Sequence, residues 1–121
     1  MTRQQAEEFI QDRYSTEPDY PWEKYPGNAV YRHRVSGKWY ALIMDVSAHC
    51  LGFDSSEIIS IANLKLPLEK IEEARRVDGI YPAYHMSKKY WVSVELQKMD
   101  MKMLGILMDM SFQATAMKKD L

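Results

Sequence analysis

A chain of 121 residues, 46% hydrophobic and 27% charged, has the makeup of one globular domain built on a single core. Its formal net charge of −1 gives no global attraction to DNA. Its one cysteine, Cys50, excludes an internal disulfide, lacks the paired spacing of a zinc site and fits a cytoplasmic setting. No apolar run reaches membrane-spanning length and residues 1–10 are too polar for a signal peptide, so no membrane role is expected.

Charge is unevenly spread. Residues 1–60 hold six Lys/Arg against nine Asp/Glu, a net of −3, whereas residues 61–121 hold ten against eight, a net of +2. This asymmetry permits a local basic face.

From the N-terminus, Thr2 followed by Gln5 has the capping-box spacing. Ala6, Phe9, Ile10 and Arg13 or Tyr14 recur at helical intervals and predict a helix over 3–14. Glu7, Glu8 and Asp12 are read as its solvated face. Residues 15–28 hold three prolines and a glycine and form a loop, whose Tyr20, Trp22 and Tyr25 are too apolar to leave the domain body.

"AVYRHRV" and "KWYALIM" flank Ser36-Gly37 and predict a hairpin with a tight turn, in which period two sends Arg32 and Arg34 to one face. A variable connection leads to a third strand, "EIISIANLKL", ended by Pro67. "LEKIEEARRVDG" reads as a helix with acidic residues early, Arg75 and Arg76 late, and Gly79 as its stop. "YWVSVEL" is a fourth strand, and a last helix spans about 101–118 with Leu104, Leu107, Met108 and Ser111 on one side. Its methionines are read mainly as core filler. The order α-β-β-β-α-β-α predicts an α+β domain, 1–121, with a mainly antiparallel sheet and helices on one face.

No nucleotide loop, nucleophile elbow or zinc-protease motif is present, so no catalytic residue, cofactor or metal site is assigned. The strongest local signal is "PAYHMSKKYWVSV", residues 82–94. Pro82 argues for an ordered turn, and it leads into a histidine, two lysines and three rings. His85, Lys88, Lys89 and Tyr90 make an anion-attracting lip. Arg32, His33, Arg34 and Lys38 form a second basic group at the hairpin. Brought to one side, the two groups would straddle a phosphate backbone with salt-dependent, sequence-tolerant contacts. Two further readings stay open. Tyr84, His85 and Trp91 could close a pocket for a small anionic ligand or a protein terminus, or the block could be structural.

"YPAYHMSKKYW", together with "SGKWYALI", "LKLPLEKIEEARR" and "MDMSFQAT", resembles the bacterial MmcQ/YjbR family across nearly the whole chain. In that family's pattern the block carries Asn and His where this chain has Ser87 and Tyr90. The resemblance implies a fold like that of CyaY, the bacterial frataxin, and a DNA-binding role by analogy with double-wing binders. The expected DNA contacts are Arg32, Arg34, Lys38, His85, Lys88, Lys89 and Tyr90. DNA, a small anion or a protein partner is the expected ligand, and the protein is expected to be a monomer or weak homodimer.

Overall fold

A computed structural model describes all of Met1–Leu121. Five strands form one sheet: β1 (Ala29–Arg32), β2 (Trp39–Ser47), β3 (Ile58–Lys65), β4 (Ile80–Pro82) and β5 (Trp91–Glu95). Their spatial order is β1-β2-β3-β5-β4, and every pairing is antiparallel. The helices are α1 (Arg3–Tyr14), α2 (Leu68–Ala74) and α3 (Met101–Thr115).

The α+β class and the one-sided helices agree with the sequence. In α1 the Thr2 hydroxyl accepts from the Gln5 N–H while the Gln5 side chain accepts from the Thr2 N–H, so both ends of the capping box are made. Ala6 and Ile10 are fully buried, as their spacing requires. In α3 the periodic residues Leu104, Leu107, Met108, Ser111 and Thr115 are all buried. Both helices lie on the face formed by Ala41, Ile43, Leu64, Val92 and Val94. Removing Leu104 or Met108, each without solvent exposure, would cost about 2–5 kcal/mol through lost transfer energy and a cavity.

Four details differ from expectation. The sheet has a strand that the sequence reading treated as a turn, β4, three residues long and closed by Pro82. So short an edge strand carries no periodic signal, and its proline can stand only at an edge. The second helix ends at Ala74 rather than near Gly79, because only Ile71 of α2 is buried and the following Arg75, Arg76 and Asp78 offer nothing to pack. The last helix stops at Thr115.

The hairpin turn is also wider than a two-residue loop. β1 ends at Arg32, and the His33 N–H donates to the Lys38 carbonyl at 2.8 Å, so residues 34–37 make the loop. Gly37 supplies its left-handed position, φ +76°. Alternation therefore does not continue to Arg34, and the expected common face of Arg32 and Arg34 is not formed by a strand. Tyr40 is an extra residue in β2, since Tyr31 faces Ala41 while Arg32 faces Trp39. This bulge turns Trp39 to the face opposite the helices and Tyr40 towards them.

Candidate functional site

No α-helix covers the second face of the sheet, although a short 3-10 turn, Ala48–Leu51, packs Ala48 and Leu51 against it. Its apolar patch of Val30, Leu42, Met44, Ile59 and Ile61 is overlaid by two irregular segments, residues 15–28 and 83–90. The second of these contains the Tyr-His-Met block, and two buried polar side chains fix it. Asn63 of β3 and Ser93 of β5 are register partners, both fully buried. Ser93 Oγ donates to Asn63 Oδ1 at 2.5 Å and accepts from the Tyr84 N–H at 2.9 Å. Asn63 Nδ2 donates to the Tyr84 carbonyl, also at 2.9 Å. Both backbone groups of Tyr84 are thereby satisfied away from water. His85 then takes a left-handed backbone, φ +59°, an uncommon state for a residue with a side chain.

Between the two segments lies a cleft of about 640 Å³, within the usual range for small-ligand sites. Its floor is β2, with Trp39, Leu42 and Met44. Trp22 and Tyr25 bound it on one side, Tyr84 and His85 on the other. Trp22 meets Trp39 edge to face, centroids 5.7 Å apart and planes at 84°. The Tyr84 ring stands across that of His85 at 4.0 Å. The nearby Cys50 thiol, together with burial, raises the pKa of its phenol above the usual value.

Tyr84 and His85 both line this concave surface, with His85 exposed rather than partly buried. Trp91 and Lys88 do not line it. Trp91 faces the same side of the sheet but belongs to its far end, opposite Lys65 in register. The cleft depends instead on Trp22 and Trp39, which sequence reasoning placed in a loop and a strand without connecting them. The only available signal was the excess of rings in residues 20–25.

The sheet end beyond the cleft collects cations. The C-termini of β1 and β3 and the N-termini of β2 and β5 all finish there, bringing together Arg32, Lys38, Lys65 and the segment carrying Lys88 and Lys89. Lys118 and Lys119 join them, because the Asp120 carboxylate accepts from the Ser36 hydroxyl at 2.6 Å and docks the C-terminal turn on the hairpin. Sequence reading did not include Lys65 or these two lysines.

The expected residues differ in their freedom. Arg32 is 3.1 Å from Asp19 and lies over the Trp39 ring at 5.3 Å. Arg34 donates to the Ser15 carbonyl at 3.0 Å, at the C-terminal end of α1. His33 leaves the basic group altogether. It is buried, bonded to Thr115 at 2.9 Å, and burial lowers its pKa. Lys38, Lys88 and Lys89 are exposed and take part in no ion pair. Tyr90 is also exposed, with Lys65 Nζ and Lys89 Nζ at 5.7 and 5.4 Å from its ring. No group of three His, Cys, Asp or Glu side chains is placed to hold a metal ion, and no helix is long and apolar enough to cross a membrane.

An antiparallel sheet with helices on one face and a ring-lined cleft on the other defines a small α+β domain built around its open sheet face. A sequence model of the YjbR family matches residues 11–114, and the chain belongs to that family. It is 44% identical over 100 residues to YyaQ of Bacillus subtilis, an uncharacterized protein, covering 83% of this chain and 85% of that one. A crystal structure of a Pseudomonas syringae protein superposes with a TM-score of 0.93 at 42% identity, covering 96% of this chain and all of the other. The Deinococcus radiodurans protein DR2400, with a DUF419 domain, matches at a TM-score of 0.63 and 25% identity, over 86% of this chain and 70% of that one.

Proposed function

We propose that the protein binds DNA through the cationic end of its sheet, contacting phosphates without reading bases. The observation that carries this reading is that Lys38, Lys88 and Lys89 are exposed and in no ion pair, with Lys89 over the exposed ring of Tyr90. Lys88 and Lys89 belong to a pinned segment, so their main chain loses little freedom on binding. Arg32 and Arg34 are engaged within the protein and add to the local field, while His85 lines the cleft. No helix is placed to read a groove, and no catalytic step is assigned.

The arrangement of α1 and α3 on one face of an antiparallel sheet, one before and one after the strands, supports a CyaY-like fold. The single unpaired Cys50 supports a cytoplasmic setting.

The test is binding to duplex and single-stranded DNA between low and physiological salt. Four engaged cations give a slope of log affinity against log salt of about −4 on duplex. Replacing both Lys88 and Lys89 with Ala weakens binding and reduces the slope by about two. Absence of binding at low salt, or unchanged affinity in the double variant, overturns the reading.

A further inference from the structure

The cleft adjoins the cationic sheet end, and the two differ in chemistry. Trp22, Tyr25, Trp39 and Tyr84 give the cleft four rings, and no lysine or arginine is among its lining residues. The two regions meet at Trp39, the first residue of β2. Its ring lies under the Arg32 guanidinium at 5.3 Å, and its neighbour in sequence is the exposed, unpaired Lys38. On the other wall His85 lines the cleft, and Lys88 and Lys89 follow it on the same pinned segment. Because β3 stands between β2 and β5, the strand ends leading from Lys38 and from Lys88–Lys89 lie two interstrand steps apart, about 10 Å. The unpaired cations therefore mark a track rather than a point.

Rings that open onto a line of cations match the two chemistries of one nucleic-acid strand, flat bases carried on a chain of phosphates. In a duplex the bases are stacked and paired, so a ring-lined cleft can serve only an unpaired strand. We propose that the DNA bound is single-stranded, and that one base, turned out of the stack, enters the cleft while flanking phosphates lie on Lys38, Lys88 and Lys89. This rests on the DNA-binding reading and adds the strand state and the place of a base. Trp39 is braced by Arg32 and by Trp22 at right angles, so the stacking surfaces are Tyr25, 61% exposed, on one wall and Tyr84 on the other. Asn28, also in the lining, is held through its main chain, whose N–H donates to the Tyr25 carbonyl at 3.0 Å. Its side-chain amide is left to donate and accept at a base edge. The Asp45 carboxylate does not oppose an anion here: it points to the helix face, 3.3 Å from Arg3 and 2.6 Å from the hydroxyl of its register partner Ser60. The cleft volume of about 640 Å³ admits a base with its sugar. Stacking accepts any base, so little sequence preference is expected.

The test compares three labelled probes of equal length, about ten nucleotides, by fluorescence anisotropy at low salt: a thymidine single strand, its duplex, and an abasic strand that keeps the phosphates. The thymidine strand is expected to bind about tenfold more tightly than the other two. It should also quench tryptophan fluorescence, with Trp22 and Trp39 at the site, whereas the abasic strand should not. Tyr25→Ala should weaken binding of the thymidine strand several-fold and leave the abasic strand and the salt slope unchanged. The Lys88/Lys89 double alanine variant should weaken both strands alike and reduce the slope. Urea unfolding of each variant confirms that the comparison is between folded proteins. A thymidine strand that binds no more tightly than the abasic strand or the duplex, or that is indifferent to Tyr25→Ala, overturns the proposal and leaves phosphate contact standing. Thymidine monophosphate binding as tightly as the strand also overturns it, in favour of a free nucleotide. Binding of none of the three probes is instead the failure of the DNA reading, and the proposal falls with it.

Discussion

Ser93 donates its hydroxyl hydrogen to the side-chain oxygen of Asn63 across the β3–β5 pair, and neither residue is exposed to solvent. A polar pair in the middle of a sheet face is costly unless every group is matched. Here the match is the backbone of Tyr84, which takes the remaining donor and acceptor. The pair therefore acts as a clamp that orders residues 83–90 over the sheet and so shapes both the cleft wall and the lysine-bearing segment.

Breaking the clamp should be expensive. Ser93→Ala strands the Tyr84 N–H and the Asn63 oxygen, and about 1–3 kcal/mol of stability should be lost. Urea unfolding measures the total, and faster hydrogen exchange at Tyr84 than at Val94 would locate the effect. Ser93→Thr, which keeps the hydroxyl, should lose less. A Ser93→Ala variant with native exchange at Tyr84 would contradict the clamp.

Two glycines should respond oppositely to alanine. Gly79 has φ +92°, and a Cβ there would fall 2.9 Å from Lys98 Cβ and 3.0 Å from Met99 Cε. Gly79→Ala should destabilise by about 1–3 kcal/mol, from backbone strain and crowding at the entry to β4. Gly105 lies inside α3, where a Cβ would meet Phe9 of α1 at 3.5 Å, an ordinary contact. Gly105→Ala should raise stability by about 0.5–1 kcal/mol. Thermal and urea unfolding of the two variants give the signs directly.

Elements with a sustained period were legible in the sequence. α1, α3, β3 and β5 each place their repeating apolar residues in the core. The hairpin itself was legible too, but not its register, in which Tyr31 faces Ala41 where a two-residue turn would set it against Leu42, nor the bulge at Tyr40, which depends on how Tyr40 packs against Tyr14 and Phe112 across the chain. His33 looked like part of a basic stretch because its neighbours in sequence are arginines. Its surroundings are Tyr40, Phe112 and Thr115, none of which local spacing could supply. The cleft joins residues 22, 39, 50 and 84, so only the folded topology reveals it. The lysine block was visible as composition, but Lys118 and Lys119 reach the same sheet end only through the contact between Asp120 and Ser36.

Alanine at both Lys88 and Lys89 should leave stability within about 0.5 kcal/mol of the parent protein, since both side chains are exposed and form no ion pair. The only contact removed is that of Lys89 with the exposed Tyr90 ring. Unfolding curves for this variant should overlay those of the parent. A large shift would mean that these lysines support the fold, and any loss of DNA binding would lose its meaning.

His33 should make the protein sensitive to mild acid. Thr115 Oγ1 gives its hydrogen to the Ser111 carbonyl at 2.8 Å, so it accepts from His33 Nε2–H, fixing a neutral tautomer. Burial lowers the pKa below the ordinary 6.5; Asp120 opposes this, and Lys38 adds to it. Because the unfolded chain binds the proton more readily, stability is fully present above about pH 6.5 and declines as pH falls through the folded value. The urea midpoint should therefore drop between pH 7 and pH 5, and His33→Gln should flatten that slope.

Asp120 acts in a lower window. Burial pushes its pKa up, but hydrogen bonds from the Ser36 hydroxyl, the Met117 N–H and the Ser36 N–H outweigh this and bring it to about 2, against an ordinary 3.8. A carboxylate with a depressed folded pKa stabilises above its unfolded value and loses that contribution as pH falls towards 2. The structure most directly affected is the docking of residues 117–121 on the hairpin, together with the placement of Lys118 and Lys119. Amide exchange at Ser36 and Met117 should accelerate below pH 4 while the Val92 and Val94 amides stay protected. Asp120→Asn should show the faster exchange already at pH 7, because a neutral amide oxygen is a weaker acceptor for three donors. Exchange at Ser36 that is indifferent to both acid and this substitution would mean that the C-terminal turn is held by something other than the carboxylate.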